Sequence, residues 1–289
     1  MHAVSDDGVG ARMHPQDRPE QDRGRGPEDE PYLSRIHSSR LCLARIPHPD
    51  RVSFVQAVKL SVLMPVYNEA RTIDEILRLV TAEGTEKEVV VVDDGSTDGT
   101  RDRLGVWNGR GGVRVIHHAQ NLGKGRALRT ALEAARGDIL IIQDADLEYD
   151  PSEYSRILAP IEAGRADVVF GSRFSGSGEH RVQNFWHQQG NRLLTLISNV
   201  FTGLNVSDMA TCYKAFHRRV VPALDLESPG FGVDAEITAK VARGGFRVFE
   251  VPVSYFGRTQ AEGKKIRMKD GFAALAALLR HSVRPGRKH

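Results

Sequence analysis

The stretch EVVVVDDGSTDGT, residues 88–100, is decisive for the fold. Four valines in a row behind Glu88 form an unbroken β-branched apolar run, the pattern of a strand buried on both faces. DDGSTDGT (93–100) then packs Gly, Asp, Ser and Thr together, residues that turn a chain and prepare a helix start. Strand, turn and short helix in that order are half of a βαβ unit.

Towards the N-terminus, LSVLM (60–64) is a second buried-strand run, stopped by Pro65. Thr72 and Glu75 stand at capping-box spacing, and Ile73, Ile76, Leu77 and Val80 share one face of the helix that follows. Towards the C-terminus, VRVIH (113–117) reads as a third strand and NLGKGRA (121–127) as a glycine loop. Ala127, Leu128, Ala131, Leu132 and Ala135 make one face of a helix that Gly137 ends. DILIIQ (138–143) is a fourth strand, running straight into Asp144, Ala145 and Asp146. Ile157, Leu158 and Ile161 mark a helix, DVVFG (167–171) and FRVFEVPV (246–253) later strands, and FAALAALLRHSV (272–283) a final amphipathic helix with the basic end RPGRKH. The alternation predicts an α/β, Rossmann-like, mixed but mainly parallel sheet flanked by helices, without internal repeats.

The expected layout is a disordered polar tail over 1–58, one domain over 59–268, and a C-terminal amphipathic helix with a basic tail over 269–289. A chain of 289 residues with 40% hydrophobic and 27% charged residues has enough apolar surface for one sizeable core. Its net charge of +3 comes from 40 basic and 37 acidic residues, so it lacks the broad basic field of a nucleic-acid binder. Cys42 and Cys212 form neither a disulfide framework nor a zinc pattern, and a reducing cytoplasm is expected. The polar N-terminal segment has no apolar core of a secretory leader. LLTLISNVFTGLNVS (193–207), the longest uncharged stretch, falls short of the ~20 apolar residues of a membrane span. It reads either as a buried or half-buried helix or as one that meets a lipid-linked molecule at a bilayer surface.

Ligands of an open parallel sheet bind beyond the carboxyl ends of its strands. Here those ends carry Tyr67, Asn68 and Glu69, then Asp93 and Asp94, then Asp144 and Asp146. Acids in such loops often only cap helices, but their coincidence at successive strand ends is a stronger signal. Crowded carboxylates repel one another unless a cation intervenes, and hard oxygen ligands suit Mg²⁺ or Mn²⁺, which complete their shells with substrate phosphates. No glycine fingerprint follows the first strand, where VYNEA stands, so a dinucleotide-dependent dehydrogenase is set aside.

SVLMPVYNEARTI, VVVVDDGSTDGT, NLGKGRAL and QDADLEYDP, in this order and spacing, resemble family 2 glycosyltransferases of the GT-A fold. DADLEYDP followed by FGSRF, SDMATCYKAF, GFGVDAEITAK and EVPVSYFGRTQAEGKKI is similar to the dolichyl-phosphate and polyprenyl-phosphate sugar synthases, chiefly the mannosyltransferases. The likeness runs from about Leu60 to about Ile266.

That resemblance implies Pro65, Tyr67 and Glu69 bordering a nucleotide, Asp93 or Asp94 reading its base, and Lys124 close by. It implies Asp144, with Ala145, at the sugar or ribose, Asp146 on a metal, and Glu148 as a second ligand. Arg173, Arg258, Lys264 and Lys265 would supply positive charge to the diphosphate or the acceptor. By themselves Lys264 and Lys265 read as a solvated loop, and Arg173 equally as half of a structural ion pair. Asp208 occupies the position where relatives that glycosylate a hydroxyl keep a base. A phosphate acceptor needs none, being largely ionised at neutral pH.

The implied reaction is an inverting transfer of mannose, ahead of glucose, from GDP-mannose, ahead of UDP-glucose, to a polyprenyl phosphate. The protein would work peripherally at the cytoplasmic face of a membrane, through its own surface or a membrane-protein partner. The rivals are transfer to a hydroxyl with Asp208 as base, and a non-catalytic nucleotide-sugar-binding subunit.

Overall fold

The computed structural model describes residues 60–176, 181–182, 184–259 and 268–282, all within the unit Phe54–His289. Expectations placed on residues 1–59, on Lys264 and Lys265, and on 284–289 lie outside the described residues. Among those described, seven strands form one sheet: β1 (Leu60–Val66), β2 (Lys87–Asp93), β3 (Val113–His117), β4 (Ile139–Ile142), β5 (Val168–Ser172), β6 (Lys214–His217) and β7 (Val248–Pro252). The order across the sheet is β3-β2-β1-β4-β6-β5-β7. β6 runs antiparallel to both neighbours, β4 and β5, and every other pairing is parallel.

The helices are α1 (Ile73–Ala82), α2 (Thr100–Trp107), α3 (Lys124–Ala134), α4 (Tyr154–Glu162), α5 (Phe185–Thr202), α6 (Val221–Leu224), α7 (Val233–Arg243) and α8 (Met268–Ser282). Because side chains alternate along a strand, the continuous apolar runs feed two cores at once. Val62, Met64, Val89, Val91, Ile139 and Ile141 face α1 and α4, meeting Ile76, Leu77, Val80, Ile157 and Leu158. Leu63, Val90, Val92, Leu140 and Ile142 face the other way, towards Leu128 and Ala131 of α3, Ile237 of α7 and Leu278 of α8.

Register sets where the loops open. Val66 pairs with Asp93 and Leu63 with Ile142, so the carboxyl ends of β1, β2 and β4 finish close together on one edge. Three local expectations are corrected. The capping box at α1 does not form: Thr72 caps with its backbone only, Glu75 pairs with Arg78, and the Thr72 hydroxyl donates to Ala145 O at 2.7 Å. α3 ends at Ala134, with extended Ala135 rather than Gly137 as its cap. α8 begins at Met268, four residues ahead of the apolar run 272–283 and one ahead of the expected segment 269–289.

β6 and α7 carried no legible period. KAFH of β6 is four residues long and includes a fully buried lysine, Lys214. α7 buries Asp234, Glu236 and Lys240 beside its apolar residues, so polar and apolar positions do not separate by face. The uncharged stretch 193–207 lies largely in α5, where Thr195 and Ser198 are buried while Leu193, Leu196 and Val200 face outward. No helix among the described residues is long and apolar enough to cross a membrane.

Candidate active site

The loops beyond β1, β2 and β4 surround a cavity of about 620 Å³. Of the residues singled out in the sequence, Pro65, Tyr67, Glu69, Asp94, Lys124, Asp144, Ala145, Asp146, Glu148, Arg173 and Arg258 line it. Asp93 and Asp208 do not; both are buried behind the wall. Asp93 shapes the turn after β2, accepting from Ser96 N at 3.0 Å and pairing with Arg101 and His117. Asp94 grips the glycine loop, accepting from Leu122 N at 3.0 Å and Gly123 N at 2.7 Å, with His118 Nδ1 at 2.6 Å.

That grip aims Lys124 inward. Its Nζ lies 3.0 Å from Asp144 Oδ2 and 3.0 Å from Cys212 Sγ. The glycines on either side are dictated by contact: a Cβ on Gly123 would meet Pro229 O at 2.3 Å, and one on Gly125 would meet Ser228 O at 1.8 Å. The loop that presses there is tied down by buried Glu236, which accepts from Glu227 N and Ser228 N at 2.7 Å each.

Burial works to raise the Asp144 carboxyl, but Lys124 beside it, with Cys212 and Arg258 adding to its effect, holds it below the usual carboxylate range. Asp146 has the opposite balance. Burial, then the charges of Asp144 and Glu148, push it up to about 7 against the pull of Arg258. The turn carrying these acids is strained, with Leu147 at φ 62°, and so is Asn68 of the facing loop at φ 51°. Glu148 is fixed by Tyr255 Oη at 2.7 Å and by Arg258 N at 2.8 Å. Arg258 in turn spans Glu69 (Nη1 to Oε2, 3.0 Å) and Asp146 (Nη2 to Oδ2, 2.9 Å).

Asp208 is fully enclosed, and Arg173 occupies both of its oxygens: Nε and the backbone N–H on Oδ2 at 2.7 and 3.1 Å, Nη2 on Oδ1 at 2.7 Å. Its loop hangs from Glu250 of β7, which accepts from Ser207 N at 2.8 Å and Asp208 N at 3.2 Å. Arg173 thus reaches the cavity locked in one rotamer, its guanidinium 5.0 Å from the Tyr255 ring. Tyr149, Cys212, Phe231, Tyr255 and Asp270 also line the cavity and were not singled out from the sequence. All but Asp270 lie inside the quoted motifs QDADLEYDP, SDMATCYKAF, GFGVDAEITAK and EVPVSYFGRTQ, which was the available signal.

Among the described residues no three His, Cys, Asp or Glu side chains converge as a metal cage. The donor set nevertheless fits a hard divalent cation. Asp146 and Glu148 offer carboxylate oxygens at an open cavity, and Mg²⁺ or Mn²⁺ bound by one or two carboxylates draws its remaining ligands from phosphate and water. The surplus negative charge around Asp146 is what such an ion neutralises.

The family described as glycosyl transferase family 2 matches residues 61–224. Glycosyltransferase AglD of Haloferax volcanii is 35% identical over 212 residues, 68% of this chain but 33% of that protein, so the chain spans about a third of its length. Polyprenol monophosphomannose synthase of Mycolicibacterium smegmatis is 30% identical over 219 residues, covering 71% of this chain and 82% of that one. Among solved structures, glucosyl-3-phosphoglycerate synthase from Mycobacterium tuberculosis, in complex with Mn²⁺, uridine diphosphate and phosphoglyceric acid, shares the fold with a TM-score of 0.62. Its identity is 22%, and the match covers 80% of each chain.

Proposed function

The chain belongs to glycosyl transferase family 2, and on that premise we propose that it transfers a sugar, with inversion, from a nucleoside diphosphate sugar to a polyprenyl phosphate. Mannose from GDP-mannose is favoured over glucose from UDP-glucose, supported by the 30% identity to a protein named polyprenol monophosphomannose synthase. The observation that carries the reading is the Arg173–Asp208 pair. An alcohol acceptor needs a base to take its proton, and Asp208 has both oxygens committed to Arg173 inside the protein. A phosphate monoester arrives already ionised and needs a cation to hold it, which Arg173 supplies at the cavity wall.

In the reaction, an acceptor phosphate oxygen attacks the anomeric carbon on the face opposite the leaving group. The bond from that carbon to the diphosphate oxygen breaks, and the nucleoside diphosphate departs with the electron pair. Asp144, held ionised by Lys124, orients sugar or ribose hydroxyls. Lys124, Arg173 and Arg258 hold the phosphates in line, which is where most catalysis of such a displacement arises. Asp146 and Glu148 would hold Mg²⁺ or Mn²⁺, whose contribution is to stabilise negative charge on the departing diphosphate.

A polyprenyl acceptor also requires a surface that meets lipid. α5 has no acidic residue and exposes Phe185, Trp186, Leu193, Leu196 and Val200, with Trp186 76% and Val200 73% accessible. These positions lie within about a third of the helix circumference at 3.6 residues per turn, an apolar stripe suited to a bilayer interface. Vesicle flotation checks this: Leu196→Ser with Val200→Ser should leave the floating fraction if the stripe is the contact.

The reaction itself is tested by incubating the protein with labelled GDP-mannose or UDP-glucose, Mg²⁺ or Mn²⁺, and either polyprenyl phosphate or the matching polyprenol. Label is expected in the organic phase with the phosphate only. Equal labelling of the polyprenol, or transfer to water-soluble hydroxyls alone, overturns the phosphate acceptor.

A further inference from the structure

Arg258 serves three carboxylates from two loops. Nη1 and Nη2 meet the two oxygens of Glu69 at 3.0 and 3.2 Å, and Nη2 also donates to Asp146 Oδ2 at 2.9 Å. The backbone N–H donates to Glu148 at 2.8 Å. Nε stands 3.7 Å from that same Glu148 oxygen and, though buried, makes no hydrogen bond. The other Asp146 oxygen accepts from Glu148 N at 3.2 Å, so each oxygen of Asp146 already accepts one hydrogen bond. One positive charge thus stands among three negative ones, in the place where the carboxylate oxygens would otherwise face a divalent cation.

A cation on Asp146 and the present Arg258 contact compete for the same carboxylate. Asp146 Oδ2 carries Nη2, and a second positive centre drawn onto that carboxylate would sit within a few ångströms of the guanidinium, where like charges repel strongly. Arginine is well suited to leave, because its planar fork grips a phosphate as it grips a carboxylate, with two parallel hydrogen bonds. A diphosphate arriving beside Glu69 therefore offers Arg258 an equivalent partner in the same cavity.

We propose that Arg258 is the built-in counter-ion of the unloaded acidic cluster, and that loading is an exchange. Its guanidinium gives up Asp146 and Glu69 for the diphosphate as the divalent cation takes the carboxylates, while its backbone stays tied to Glu148. This rests on the transferase reading above and adds a thermodynamic consequence. The cation binds poorly alone, because it must displace Arg258, and well with a nucleoside diphosphate, because the displaced guanidinium then has somewhere to go. Cation and nucleotide are coupled through one side chain, and each strengthens the other by the same factor.

The test is Mn²⁺ binding at pH 8 by calorimetry, with and without GDP and UDP, for wild type, Arg258→Met and Arg258→Lys. Circular dichroism confirms folding, and Arg258→Lys carries the comparison if Arg258→Met fails to fold, since an ammonium cannot bridge Glu69 and Asp146 as a fork does. The expected result is that Arg258→Met binds Mn²⁺ alone at least tenfold tighter than wild type. The factor by which nucleotide tightens Mn²⁺ binding should fall at least tenfold, with Arg258→Lys between the two. Variants that bind Mn²⁺ alone no tighter than wild type, with coupling unchanged, overturn the exchange and leave the transferase reading standing. Wild type that binds no Mn²⁺ with either nucleotide overturns both.

Discussion

Asp144 and Asp146, with only Ala145 between them, meet opposite electrostatic fates because their charged neighbours differ. Lys124, within 3.0 Å of Asp144, offsets its burial together with Cys212 and Arg258, whereas at Asp146 burial and the charges of Asp144 and Glu148 prevail over Arg258, which Asp146 shares with Glu69. Asp146→Asn keeps the shape and removes one negative charge. Turnover with Mg²⁺ or Mn²⁺ should fall by roughly 10²–10³-fold, the scale of losing a group that stabilises transition-state charge. The metal-free protein should meanwhile gain about 1 kcal/mol of stability at pH 8, since buried like charges oppose folding. Thermal melts in chelator and a turnover assay check both halves, and full-rate turnover would remove Asp146 from the chemistry. At this scale the acids of the site were legible in the sequence as types at strand ends. Their partners were not: Asp208 reads as a base or a brace until Arg173 is seen on both its oxygens.

Among the elements, the start of α3 is the most tightly constrained. Gly125 N donates to Pro229 O at 2.8 Å, and the crossing loop cannot retreat because Glu236 holds its amides and Lys240 Nζ holds Glu236 at 2.7 Å. Gly125→Ala would place a methyl 1.8 Å from Ser228 O. Backbone against backbone has no rotamer with which to yield, so a loss of about 2–3 kcal/mol is expected, the upper range for overpacking. Lys124 should be displaced with it, weakening donor binding. Denaturant unfolding with nucleotide-sugar titration tests this, and a variant equal to wild type in both would show that the loop is free to move. The glycine loop itself was plain in NLGKGRA, but the reason for its glycines lies about 100 residues downstream in a loop whose position depends on α7.

Across the whole molecule, Asp167 at the start of β5 ties distant segments together. It accepts from Arg247 N at 2.8 Å and Nη2 at 3.0 Å, and it pairs with Arg219. The Arg247 hydrogen bonds, outweighing burial, hold its carboxyl far below the usual range, with Arg219 adding to the effect. A depressed carboxylate stabilises the fold fully above its unfolded pKa, about 3.9, and loses that contribution as pH falls towards its folded value. Asp167→Asn should therefore cost about 1 kcal/mol at pH 7, discounted for the exposed arginines, and the difference should shrink steadily below pH 4. Urea unfolding of both proteins at pH 7 and pH 3 decides it, a constant gap being the contrary result. The sequence alone determined β1, β2 and β4, the turns after them and the acids at their ends. Those signals are local: apolar runs, turn residues and spacing within a few positions. Tertiary structure decided that β6 enters antiparallel between β4 and β5, and that Arg258, 189 residues from Glu69, closes on the same carboxylates. Such pairings follow from sheet order and through-space charge, which no periodicity along the chain encodes.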